Sequence, residues 1–385
     1  MSNNTSPEVA AIVYPGFHPD PHFSAWYGPG WTEWELVKKR TPLYEGHHQP
    51  KVPEWGHFDE SDPVWGAKQI DLAADHGVTA FMFDWYWYSG VKLFHNALEK
   101  GFLQAPNNER LKFFLMWANH EWWDFPAVNN TPGMGQKTWL WVHHTLDELA
   151  SATRYCCENY FSKSNYLKID GKPVFCWYQP NYLKEKVEAE SPGTGPLDHM
   201  NAEARKCGFD GIYFIANIGC LGGNPYSVRW DLIPRLKNDG YEAVFPYNIC
   251  SAPSRPTLPP DRPVHDYTEI MEAHEHVWAQ CEGKGLPFNP NVSMGLDCSP
   301  RWHPSVTLPV DVDNYLPFVD NCTPERYGTM CGKALDHIEQ HGRDSKILFL
   351  NAWNEWTEGM YLLPEKRYGT GYLEALKRAV DKRAK

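Results

Sequence analysis

Eight short, almost uninterrupted apolar runs recur along the chain. They are Val9–Tyr14, Val78–Asp84, Leu111–Trp117, Pro173–Tyr178, Gly211–Ala216, Ala243–Tyr247, Asn291–Leu296 and Lys346–Asn351. Continuous rather than alternating hydrophobicity marks strands covered on both faces, as in parallel sheets. Amphipathic stretches follow most of these runs. Pro63–His76 reads as a helix that Asp62 can cap, with Pro63 in its first turn and Gly77 at its stop. Further helices are expected at 92–103, 137–159, 197–207, 228–238, 266–281, 324–341 and 369–383. Strand followed by helix, eight times, closes into an α/β fold, a (β/α)8 TIM barrel. An open doubly wound sheet usually shows a glycine fingerprint after its first strand, and none follows Tyr14.

At 385 residues the chain exceeds the roughly 250 of a typical barrel. The surplus lies in Pro15–Ser61, Ala118–Gln136, Asn217–Ser227, Asn248–His265 and Asp297–Thr323. Each follows the C-terminal end of a strand, the face on which barrels carry active sites. Residues 1–385 therefore read as a single catalytic domain, with the 15–61 connection covering that face.

Charge removes several function classes. Lys and Arg total 36 against 48 Asp and Glu, a balance of −12, with no long basic run, so no nucleic-acid partner is expected. No stretch is apolar for long enough to span a membrane. The N-terminus MSNNTSPEV shows no signal peptide. The ten cysteines fall between Cys156 and Cys331, several in apolar runs. They read as buried thiols of a reducing compartment, hence a cytoplasmic location. With no CxxC pair and no HExxH motif, neither a metal nor a cofactor is expected; His143-His144 and His274-Glu275-His276 read as solvated helix faces.

The candidate chemistry sits at the strand ends. Of 18 tryptophans, 13 fall there or in the first long connection. Interleaved polar groups suit a ligand with apolar patches and many hydroxyls, a carbohydrate. NAWNEWTEG (Asn351–Gly359) follows the eighth run and carries Glu355 and Glu358, which converge if the segment forms a helical turn or compact loop. Convergence beside aromatic rings would leave one carboxyl protonated and one ionised, as acid/base work at a glycosidic bond requires. The remaining candidate contacts are Asp84, Trp85 and Tyr86; Trp117, Asn119, His120, Glu121 and Trp122; Trp177, Tyr178, Asn217 and Tyr247; Asp297 and Arg301, which can form a pair; Trp353, Asn354 and Trp356; and His18, Trp26, Glu33 and Trp34 in the first connection.

The ordered set from Tyr14 through FDWYWYSG, WANHEW and NAWNEWTEG to YGTGYLEAL resembles the WbsX-type, glycoside hydrolase family 99-like domain over essentially the whole chain. By that resemblance Glu358 is the general acid/base, and Glu355 is a base assisting the 2-hydroxyl or a nucleophile. Two positions depart from the family 99 pattern: His120 stands where a glutamate is common, and Thr357 replaces a histidine. The implied activity is a retaining glycoside hydrolase of polysaccharide degradation. The alternatives are a glycosyltransferase of polysaccharide biosynthesis and a non-catalytic carbohydrate-binding barrel. A sugar-nucleotide transferase should show a phosphate-binding loop or a DxD; Asp311-Val312-Asp313 has that spacing in a proline-flanked loop.

Overall fold

The computed structural model describes residues 6–129, 137–219, 228–250, 264–309, 318–341 and 345–383. Eight parallel strands form an α/β barrel: β1 (Glu8–Val13), β2 (Ala80–Tyr88), β3 (Lys112–Trp117), β4 (Lys172–Trp177), β5 (Tyr213–Asn217), β6 (Ala243–Phe245), β7 (Asn291–Ser293) and β8 (Ile347–Asn351). Their order around the sheet is β6-β5-β4-β3-β2-β1-β8-β7. The open edge is nearly closed by the segment before β7: Val244 donates to the Pro287 carbonyl and accepts from Asn289, both at 2.9 Å. All eight strands lie within the expected runs or overlap them.

Apart from the single turn Pro126–Asn129, the α-helices of the described residues, in chain order, are α1 (Pro21–Tyr27), α2 (Trp34–Lys39), α3 (Pro63–Asp75), α4 (Leu146–Cys156), α5 (Pro180–Glu190), α6 (Pro196–Lys206), α7 (Ile233–Asp239), α8 (Tyr267–Ala279), α9 (Pro324–His341) and α10 (Gly371–Asp381). Asp62 caps α3 by accepting from the Val64 amide at 2.8 Å, as its position before Pro63 implies. Two expected helices differ in form. The 92–103 segment is a strand, Val91–Leu93, turned back on β2, then a π-helical turn, Ala97–Phe102. The 137–159 segment begins as a strand, Thr138–Leu140, because Thr145 starts α4 by accepting from the Glu148 amide. One hydrophobic core runs from Val9 to Ala379 and joins barrel to helices.

Candidate active site

Strand ends leave backbone groups beyond the last ladder bond, and buried groups of that kind need partners. Three asparagines supply them. The Asn354 side chain accepts from the Tyr14 amide at 2.8 Å and donates to the Tyr14 carbonyl at 2.6 Å, tying the end of β8 to β1. Asn119 accepts from the Gln179 amide at 2.7 Å and donates to its carbonyl at 3.0 Å. Asn217 accepts from Gly219 and Tyr247 and donates to the Tyr178 carbonyl at 3.0 Å. These three expected sugar contacts therefore hold the rim together. Asn354 also donates to Glu60, whose carboxyl burial pushes up to about 8. Asn354→Ala is expected to cost about 2–4 kcal/mol, since the Tyr14 backbone amide and carbonyl and Glu60 Oε1 lose this partner; a urea midpoint unchanged from wild type would refute the clamp.

Above the clamps opens a cleft of about 770 Å³. Its floor is the segment after β8. Glu355 ends a two-residue strand paired antiparallel with Met360–Tyr361, and the 3-10 turn Trp356–Glu358 between them brings Glu358 back beside it. Gly359 closes the turn at φ +74°, where a Cβ would lie 2.8 Å from that of Asp297. The two glutamates thus converge as the compact-loop reading requires. One guanidinium joins them: Arg301 donates through Nη1 to Glu358 and lies 3.4 Å through Nη2 from both Glu355 and Glu33. Glu33 comes from the first connection and also accepts from Tyr14 Oη and, at 2.6 Å, from Thr357. Tyr247 Oη sits 3.4 Å from both Asp84 and Glu355.

Burial acts on two of the cleft carboxyls, Glu355 and Asp84. Burial, then the charge of Glu358, pushes the Glu355 carboxyl well above the carboxylate range; Arg301 opposes this only in part. Burial and Glu358 likewise raise Asp84. Asp84 lines the cleft, and its buried Oδ1 has no hydrogen-bond partner among the described residues. Burial lowers the His120 pKa and keeps the ring neutral; its Nδ1 meets the Glu121 carbonyl at 2.8 Å.

Of the expected contacts, Asp84, Tyr86, His120, Glu121, Trp122, Tyr178, Tyr247, Arg301, Glu355 and Glu358 line the cleft together. Others lie elsewhere. Trp85 stacks on Trp87 at 5.3 Å, and Trp117 stacks on Trp177 at 4.9 Å, behind the strands. Trp353 donates to Gln69 of α3, and Trp356 stacks on Tyr361. Trp34 donates to the Phe58 carbonyl, and Trp26 stacks on Trp139. His18 is buried near Phe94, its pKa lowered to about 4 by burial.

Asp297 does not pair with Arg301. It accepts from Gln49 at 2.6 Å and lies 3.0 Å from His47 Nε2, while Arg301 turns to the glutamates. Burial raises the Asp297 carboxyl, but its contacts to His47, Lys51 and Ser299 outweigh that and hold it below the carboxylate range. Tyr14, Trp123, Asp124, Phe125, Gln179 and Trp302 line the cleft without having been assigned as contacts. Tyr14 closes the first apolar run, and position at a strand end was the signal available for it. Asp311–Asp313 lies outside the described residues.

The structure is a (β/α)8-type barrel with carboxyl groups and aromatic rings at its mouth. In fold it is similar to the GH99 endo-alpha-mannosidase from Bacteroides thetaiotaomicron, with TM-score 0.54, 14% identity and 97% of each chain covered. It is also similar to a solved glycoside hydrolase-like protein, with TM-score 0.56, 13% identity and 98% and 95% covered. The chain belongs to the family described as Glycosyltransferase WbsX, whose model matches residues 9–376. Two strains of Xanthomonas campestris pv. campestris each hold an uncharacterized protein WxcX that is 27% identical over 97% of this chain. The chain spans about half the length of these relatives, 50%.

The family membership corrects the expected activity. A hydrolase of polysaccharide degradation does not agree with a family described as a glycosyltransferase, and structural likeness at 13–14% identity carries the fold alone. The glycosyltransferase alternative takes its place. Among the described residues no helix is long and apolar enough to cross a membrane.

Proposed function

We propose that this chain is a glycosyltransferase that builds glycans, moving a glycosyl group from a donor to a carbohydrate hydroxyl in the cleft at the strand ends. The observation behind this reading is the pair Glu355 and Glu358 on one guanidinium. Transfer breaks the bond from the anomeric carbon to the leaving oxygen and forms one to the acceptor oxygen. A proton goes to the first oxygen and another leaves the second. Glu355, kept protonated by burial and by Glu358, is the proton donor. Glu358, ion-paired and facing the cleft, accepts the proton of the incoming hydroxyl. This exchanges the roles implied by the family 99 resemblance. Asp84 binds a hydroxyl, and Tyr86, Trp122, Trp123 and Tyr178 offer faces to sugar rings.

The lining charges support a particular donor class. Asp84, Glu121, Asp124, Glu355 and Glu358 face the cleft with Arg301, and Arg301 is already engaged by glutamates. A diphosphate leaving group would meet the acidic side chains of Glu121, Asp124 and Glu358, while Arg301 is held by its glutamates. The donor in this reading is therefore a glycoside whose leaving oxygen is uncharged. Residues 1–385 act as one catalytic domain, with the 15–61 connection over the face. The buried thiols Cys156, Cys176 and Cys331 support a reducing, cytoplasmic setting.

The test offers labelled oligosaccharides and sugar nucleotides as rival donors with a common acceptor, and reads product length by mass spectrometry. Lengthened acceptor from oligosaccharide donors is expected. Transfer from sugar nucleotides alone would overturn the donor class, and no transfer from either would overturn the function. Trp123 lines the cleft and is 45% exposed. Trp123→Ala is expected to weaken glycan binding about tenfold, in line with the roughly 1 kcal/mol of an aromatic contact, with an unchanged melting temperature. Calorimetric titration showing equal affinity would remove it from the sugar path.

A further inference from the structure

Helices α8 and α9 lead into β7 and β8, so their C-terminal ends lie toward the strand starts, at the opposite end of the barrel from the cleft. Cys281 follows α8 by two residues. His337 and His341 are four apart on the last turns of α9 and share one helix face. Cys281 Sγ lies 3.5 Å from His337 Nε2, and the His337 and His341 rings have centroids 4.2 Å apart. One ligand atom from each of the three residues lies within 4.8 Å of the others. A tetrahedral ion with Zn–S near 2.3 Å and Zn–N near 2.0–2.1 Å sets sulfur and nitrogen about 3.5 Å apart. The observed spacing matches that edge.

The surroundings also suit metal ligation. His341 Nδ1 lies 2.9 Å from the His337 carbonyl oxygen. Donating its N–H there fixes the tautomer and puts the lone pair on Nε2. His337 is buried near Trp278 and Phe288, so its ring is held in place by packing beside Cys281.

We propose that Cys281, His337 and His341 form a binding site for a divalent cation of the zinc class that clasps the end of α8 to the end of α9. Three protein ligands leave the fourth position to water. Binding replaces the S–H bond by a sulfur–metal bond and releases one proton to solvent, with no change of oxidation state. The expectation of no metal rests on the missing CxxC and HExxH motifs; His337 lies 56 residues beyond Cys281, and it is the packing of α8 on α9 that brings them together.

The experiment uses the full chain, stripped with chelator and then titrated with Zn²⁺ or Co²⁺. Zn²⁺ at a hundredfold excess over its dissociation constant is expected to raise the melting temperature by about 3–5 °C. Co²⁺ is expected to give a near-ultraviolet thiolate-to-cobalt charge-transfer band. Calorimetry in two buffers should read about one proton released per ion. Cys281→Ser and His341→Ala should each abolish the band and the thermal shift while melting, without metal, within about 1–2 °C of wild type. A wild-type chain that gives neither response, or a response that survives in either variant, overturns the site.

Discussion

Glu355→Gln is expected to lower glycosyl transfer by a factor of about 10²–10⁴, the usual loss when a positioned proton donor is removed. Glutamine keeps the shape and the neutral state that burial imposes on Glu355 but has no proton to give. Stability should move the other way. A carboxyl whose folded pKa lies above its unfolded value stabilises the fold fully only below the unfolded pKa, and that stability is lost as pH rises through the folded pKa. The amide carries no such penalty, so at pH 8 the variant should melt at or above the wild-type temperature. In the wild type, transfer should fall on the alkaline side as Glu355 loses its proton, at a pH above the ordinary carboxylate range. A variant with more than a tenth of wild-type activity would remove Glu355 from the chemistry. Lost activity together with lost stability would point to a structural role instead.

The barrel was legible because a strand covered on both faces must be apolar throughout, and eight such runs are visible. Helix α5 was not. Only Pro180, Leu183 and Val187 are buried in it, and two apolar residues four apart among charged neighbours make too thin a stripe to stand out. The convergence of Glu355 and Glu358 could be read from their spacing and the glycine that follows. The tryptophans misled for a reason already present in the strand period. Side chains alternate across a strand, so Asp84 and Tyr86 face the cleft while Trp85 and Trp87 face Tyr155 and His95 of the helical layer. Met116 and Ala118 likewise line the cleft, with Trp117 behind them. Most of the excess is packing between barrel and helices; Trp122, Trp123 and Trp302 are the ones left at the cleft. The charge cluster was out of reach, because Glu33 meets Arg301 from 268 residues away through a fold in the first connection.

Arg301→Met is expected to destabilise the fold by about 3–5 kcal/mol at pH 8, because it strands buried carboxyls that share this one counter-ion among the described residues. Glu33 is fully buried, Glu355 has 4% of its side chain exposed, and Glu358 has 21%. The deficit should depend on pH with a definite sign. Arg301 lowers the raised pKa values of Glu355 and Asp84, so its loss raises them further. Folded-state pKa values above the unfolded ones cost stability as pH rises through that interval, and the interval is wider in the variant. The deficit should therefore shrink by about 1–2 kcal/mol between pH 8 and pH 5.5, as these groups take up protons. Urea melts at the two pH values measure it. Arg301 also packs against Tyr14 and Phe125, its guanidinium carbon 5.7 and 5.9 Å from their ring centroids. A deficit equal at both pH values would assign the loss to that packing and not to charge. Arg301→Lys separates the two further: it keeps one cation but not a planar fork, so it should recover part of the stability and little of the transfer rate. Full recovery of transfer by lysine would mean that a charge near the glutamates suffices and that their alignment on one guanidinium does not matter.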